Sequence, residues 1–367
     1  MPKFFEVFGI KASELSGIGV SAVKSAVCPF TENVCDGGGN RHQTKITFTP
    51  EHDLRHAFDE TLTHVVPAVC SVDYGDDQWV VCPRRLMGFK NEQNTIPPVN
   101  LALQKHEREA LLGAGLVAGV EYGVWSEIYV QYAIADVEID YHFDFIVAPL
   151  QRDVAFADVI ESYNLSDAEK QELAKCAKQG GYIGGRLSAD TKLSAFPDLS
   201  SPLIIEVMTA STSGSNTAAG TNIAAAFKKL ILGQDYQGPG INKRQVWGRM
   251  ATQLFAKSAL AEFWGGKTYW LVQDQLLKNI ELTTKLKLAN EPSTAKETIN
   301  FISMKYSGKT VNGKPDIALD TIARIKAGIS FNGNETCSDI LLPKVFPPKL
   351  SLLKSMLRRN VAGVVKL

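Results

Sequence analysis

The sequence predicts an α/β chain of the α+β kind, with a mixed central β-sheet flanked by helices. Two adjoining segments that alternate and are rich in aromatic and β-branched residues, 127–136 and 137–149, read as strands. Helical periodicity separates them from two further apolar runs, "PLIIEVM" (202–208) and "KTYWLVQD" (267–274). Strands interrupted by helices in this way bury their apolar faces by layering helices on a sheet.

The first hundred residues have a different texture. They hold four of the six cysteines, most of the histidines and the flexible stretch "CDGGGNRHQ", and predict a small loop-rich module over 1–100, ahead of a larger domain over 101–367. "LALQKHEREALLGAGL" (101–116) has apolar residues at helical spacing and ends in glycines, so a helix opens the second region. After the strand pair, residues 153–178 read as helical, with Ser166 and Glu169 spaced as a capping box. "GGYIGG" breaks that pattern. The strand at 202–208 follows, then a polar turn, the helix "NIAAAFKKLIL", the loop "GQDYQGPGINKRQ", a long helix near 245–263 and the strand at 267–274.

Bulk properties narrow the function. Hydrophobic content of 45% and charged content of 21% suit an ordinary globular protein, and no apolar run approaches bilayer-spanning length. The N-terminus "MPKFFEVFGIKASELSG" lacks the pattern of a secretory signal, so a soluble, cytoplasmic protein without membrane association is expected. Lys plus Arg equals Asp plus Glu at 39 each, which argues against a passive nucleic-acid coat. An enzyme whose positive charge is confined to one cleft remains compatible with that balance.

Cys28, Cys35, Cys70 and Cys82 cluster, while Cys176 and Cys337 stand alone. In a cytoplasmic chain, four cysteines gathered in a loop-rich segment suggest a thiolate-bound metal, which with four protein ligands would be structural. The spacing fits no standard finger, and small buried hydrophobes are the alternative reading. His42, His52, His56 and His64 lie between them and could substitute for a ligand.

The second constellation is acidic. Glu206 sits in the middle of "LIIEVM", where a buried carboxylate is costly unless paired or bound to a cation. Asp144, in "HFDFIV", is likewise flanked by apolar strand residues, and on an adjacent strand the two would converge on a hard oxygen site suited to Mg2+. A solvent-facing edge-strand acid is the competing reading of Glu206. Lys243, Arg244 and Arg249 could contact phosphates, or form a solvated cluster.

Several stretches in order, "FFEVFG", "CPF" (28–30), "VCSVDYGDDQWVVCPRRLM" (69–87), "FDF" (143–145), "LIIEVMT" (203–209) and "RMATQLFAKSALA" (249–261), give a chain that resembles the NotI-like type II restriction endonucleases of the PD-(D/E)XK nuclease superfamily. The resemblance implies a PD-(D/E)XK restriction-endonuclease-like core with a cysteine-bound metal module. It implies one structural iron on Cys28, Cys70, Cys82 and Cys35, with zinc also acceptable to such a site. It implies Asp144 and Glu206 as catalytic Mg2+ ligands, with the Val207 carbonyl as a further ligand. Double-stranded DNA is then the substrate, and a homodimer acting on a palindromic site is expected.

Two departures stand out. Asp144 and Glu206 lie 62 positions apart, so 153–195 reads as an insertion. Met208 falls where the family carries glutamine and the superfamily usually carries lysine. A polar group from a following helix, with Lys228 and Gln253 as candidates, would restore the chemistry. Without one the chain is a catalytically impaired DNA-binding protein of the same fold. An unrelated metalloprotein with a cysteine redox centre is a third reading.

Overall fold

The computed structural model describes residues 1–15, 23–38, 45–49, 51–91, 100–185, 187–188, 190–212, 222–284, 288, 298–326 and 345–367. Its centre is an eight-stranded mixed sheet with helices on its faces.

A four-stranded antiparallel sheet comes first, from β1 (Lys3–Val7), β2 (Ile10–Lys11), β3 (Val69–Tyr74) and β4 (Asp77–Val80), in the order β2-β1-β3-β4. The next helix is shorter than the periodicity of 101–116 suggests. Leu101–Ala102 pairs instead with Lys90–Asn91, and α1 (Lys105–Gly113) begins where the Glu107 carboxylate accepts from the Gln104 backbone N–H at 2.8 Å. That reciprocal cap fixes the start of the helix against its upstream apolar residues.

Two long strands, β5 (Glu121–Ile134) and β6 (Val137–Gln151), form a hairpin whose connection puts Ala135 at a φ of 49°. The segment expected to be one helical stretch divides in two, α2 (Phe156–Ser162) and α3 (Asp167–Gln179), because Asn164 takes a left-handed φ of 47° and Ser166 caps a new helix. A short strand, β7 (Phe196–Pro197), extends the end of β6.

The central strands β8 (Leu203–Met208) and β9 (Lys267–Gln273) run parallel and are mostly buried, as strands covered on both faces are. Their crossover carries α4 (Ile223–Ile231) and α5 (Lys243–Phe263). After α6 (Asp274–Thr284) come β10 (Thr298–Val311), parallel to β9, and its hairpin partner β11 (Lys314–Lys326). Helix α7 (Lys349–Leu357) and edge strand β12 (Gly363–Lys366) close the chain, giving the order β11-β10-β9-β8-β6-β5-β12. Among the described residues no helix is long and apolar enough to cross a membrane.

Residues 1–100 share a core with the second half of the chain. Phe4, Phe58 and Trp79 are buried in one cluster with Phe227, Leu254 and Trp270. Polar groups join the sheets as well: the Gln273 side chain accepts from the Val80 N–H at 2.7 Å and donates to the Gln78 carbonyl at 2.6 Å. Deeper still, Arg85 donates to Glu6 at 2.8 Å, and Tyr306 of β10 donates to the same carboxylate oxygen at 2.6 Å. Arg85 and Glu6 are almost wholly buried, so each needs the other to remain charged there. These links fix the cysteine-bearing loops against the central sheet.

Candidate active site

Register places the two acids. β6 and β8 pair through Val147–Leu203, Ile146–Ile204 and Phe145–Ile205, and one further step sets Asp144 opposite Glu206. The contact is direct: the Val207 N–H donates to Asp144 Oδ2 at 2.9 Å. The structure therefore brings together the two carboxylates picked out by their apolar flanks, and it engages Val207 through its N–H.

Glu206 is a buried acid, only 3% exposed, and not an edge-strand residue. Its Oε2 lies 2.5 Å from the ammonium of Lys257, while Oε1 is buried with no hydrogen-bond partner among the described residues. Burial pushes its carboxyl up to about 8; Lys257 opposes that rise, and the negative charge of Asp144 adds to it. Asp144 is raised in the same direction by burial, against the pull of the Val207 N–H and Lys257. Two acids with raised affinity for protons, one oxygen orphaned, make a site short of positive charge.

Lys257 was not among the candidates read from sequence. It projects from α5, which is tied to β9 where Thr268 Oγ1 donates to the Lys257 carbonyl at 3.3 Å. Its Nζ lies 5.5 Å from the Phe143 ring centroid and 5.8 Å from that of Trp270, the residue paired with Glu206 across β9. The available signal was a cation inside an apolar stripe: Met250, Leu254, Ala261 and Trp264 are buried at helical spacing around it. Of the residues offered in its place, Lys228 is taken by Asp53 at 2.6 Å, whereas Gln253 lines the same cleft.

The site opens into a cleft of about 1140 Å3. Asp144, Glu206, Met208 and Lys257 line it together with Asp36, Arg84 and Gly88 from the cysteine-bearing loops. Arg84 pairs with Asp36 at 2.6 Å, and buried Glu107 holds the Gly88 and Phe89 N–H groups at 2.7 and 3.3 Å. Beside Asp144, Glu127 contacts His142 at 2.6 Å and adopts a left-handed φ of 53° within β5. His142 hydrogen-bonds the Glu127 carboxylate and lowers its pKa, and stacks on Tyr129 at 4.2 Å between centroids. Lys243, Arg244 and Arg249 belong to α5, but their side chains lie outside the described residues.

The four thiols belong to the N-terminal segment that also supplies Asp36, Arg84 and Gly88 to the cleft. Cys28, Cys70 and Cys82 are buried and Cys35 is half-buried, with Phe30 packed among them. Backbone groups of Gly9, Gly37 and Arg84 hydrogen-bond to Cys70, Cys35 and Cys82, and the sulfurs lie close enough to raise one another's pKa. Burial is the larger cause; it pushes the Cys35 and Cys82 thiols up to about 12. A Cβ on Gly38 would fall 2.4 Å from Cys82 Sγ, so only glycine permits this approach. This donor set, with N–H groups turned to sulfur, fits a thiolate-bound cation. Even so, among the described residues no three His, Cys, Asp or Glu side chains are already gathered as a metal shell. His42 and Cys337 lie outside the described residues; His52 accepts from the Leu54 N–H at 3.2 Å, and His64 contacts Thr63.

Comparison of the chain with protein-family models and with curated proteins found no match to either.

Proposed function

We propose that this chain is a type II restriction endonuclease of the PD-(D/E)XK kind, hydrolysing phosphodiester bonds of double-stranded DNA with Mg2+. One observation carries the reading: a buried, orphaned Glu206 oxygen beside Asp144, on adjacent strands at the floor of an open cleft. Asp144 and Glu206 would hold the cation, which hard carboxylate oxygens suit. Bound there, Mg2+ supplies Lewis-acid charge and a water of lowered pKa for attack on phosphate.

The protein's own part is positioning. The Val207 N–H holds the Asp144 carboxylate against the strand that carries Glu206. Burial strips competing water from Glu206 and strengthens every charge interaction made there. Cys28, Cys35, Cys70 and Cys82 would hold one structural iron or zinc and thereby fix the loop wall bearing Arg84 and Asp36. A homodimer would present two such clefts to a palindromic site.

The test is incubation of purified protein with long, sequence-diverse, unmethylated DNA, with Mg2+ or with EDTA, beside Glu206→Ala. Discrete fragments requiring both Mg2+ and Glu206 are expected. Retarded but uncut DNA would instead identify a catalytically silent binder, the reading that Met208 favours.

A further inference from the structure

We propose that Lys257, reaching in from α5, is the active-site cation that position 208 of β8 does not provide. The inference rests on the nuclease reading and adds to it which residue takes that role and from which element.

Residues two apart on a strand share a face, so Met208 lies on the same side of β8 as Glu206. The sulfur of Met208 brings no charge and only a weak acceptor, and the side chain packs against the apolar cluster of Phe227 and Trp270. Positive charge on this face comes instead from Lys257, 2.5 Å from Glu206 Oε2. It is 51 residues away in sequence and on a different element.

The arrangement is fixed. Lys257 is 7% exposed and bounded by the Phe143 and Trp270 rings, so its long side chain has lost its freedom before any ligand arrives. Glu206 Oε1 is buried with no hydrogen-bond partner among the described residues, so one oxygen meets the ammonium and the other is left without a compensating charge. Among the described cleft residues, Arg84 is engaged by Asp36, His142 by Glu127, and Gln253, one helical turn before Lys257, is neutral.

A lysine that merely neutralises Glu206 would show the same ion pair. The two roles differ in one respect: a cation needed at a point in space can be supplied from either element. The experiment compares wild type, Glu206→Ala, Lys257→Met, Met208→Lys and the exchange variant Met208→Lys/Lys257→Met. Readouts are Mg2+-dependent DNA cleavage, DNA retardation in EDTA and thermal unfolding without metal. Lys257→Met should lose about 100-fold or more in cleavage rate, the scale of removing one preorganised charge donor, while retaining DNA to within a few-fold. The exchange variant should recover at least about tenfold of that loss and the unfolding temperature lost with it.

Lys257→Met that cuts like wild type while Glu206→Ala does not would overturn the proposal and leave the nuclease standing. An exchange variant that is folded yet no faster than Lys257→Met would also overturn it. If Lys257→Met fails to fold, the exchange variant decides by itself: a folded, cutting protein supports the relocation, and one that is unfolded or inert refutes it. A wild type that cuts no DNA removes both readings.

Discussion

Proton release on metal binding tests the electrostatics of the site without reference to any reaction. Burial raises the Glu206 carboxyl from 4.5 to about 8 in the metal-free protein against the pull of Lys257, so near neutral pH it holds a proton far more tightly than an exposed carboxylate does. A divalent cation needs the carboxylate, and binding must expel that proton. For one group titrating near 8, apparent Mg2+ affinity rises about tenfold per pH unit below that value, about 50-fold in all from pH 6 to pH 8, and levels off above it. At pH 7 binding should release a substantial fraction of a proton. Isothermal titration calorimetry at several pH values, in two buffers of different ionisation enthalpy, measures both quantities. An affinity that is flat between pH 6 and 8, or binding without proton release, would refute the assignment of Glu206 as a cation ligand.

The same shift has a consequence for stability, of opposite sign to the usual carboxylate. A folded pKa above the unfolded one means the native state holds the proton more tightly. Its benefit is full below pH 4.5, declines as pH rises from there to about 8, and is constant above, a loss of at most about 5 kcal/mol without metal. Glu206→Gln should flatten that decline in urea unfolding and weaken Mg2+ binding, leaving only the pH dependence that Asp144 contributes.

Two further results are expected. Arg85→Met, which strands Glu6 in the core beneath Tyr306, should lower urea-unfolding stability by about 3–5 kcal/mol, and a loss under about 1 kcal/mol would show that the network bears little of the junction between the sheets. Gly38→Ala, with φ at +61° and a Cβ only 2.4 Å from Cys82 Sγ, should weaken retention of the proposed thiolate-bound metal by about tenfold or more in chelator competition; unchanged retention would separate that loop from the cysteine site.

What could be read from the sequence follows how local each cause is. The β5–β6 hairpin and the β8 and β9 strands declared themselves by alternation or by largely apolar runs, because burial of a strand is written into its own residues. The β10–β11 hairpin was missed although Asn312 and Gly313, both at positive φ, carry the strongest short hairpin signal. The arms of that hairpin pass from buried at Thr298–Met304 to exposed near the tip, so no single period runs through them.

The candidate site divides in the same way. Glu206 and Asp144 were visible because an acid between apolar strand neighbours breaks a pattern that only burial explains. Lys257 breaks a pattern too, as one cation in the stripe from Met250 to Trp264, yet long lysine stems commonly run along apolar helix faces to reach water. What turns that ordinary reading into a site is the position of the end of the side chain. The register of β6 on β8 determines where the carboxylates stand, and the packing of α5 on β9 determines that the ammonium meets them. Neither relation is carried by neighbours in the chain. On the proposed reading, Met208 therefore looks like the loss of a function when read along the strand, while the charge would be supplied across the fold from a helix.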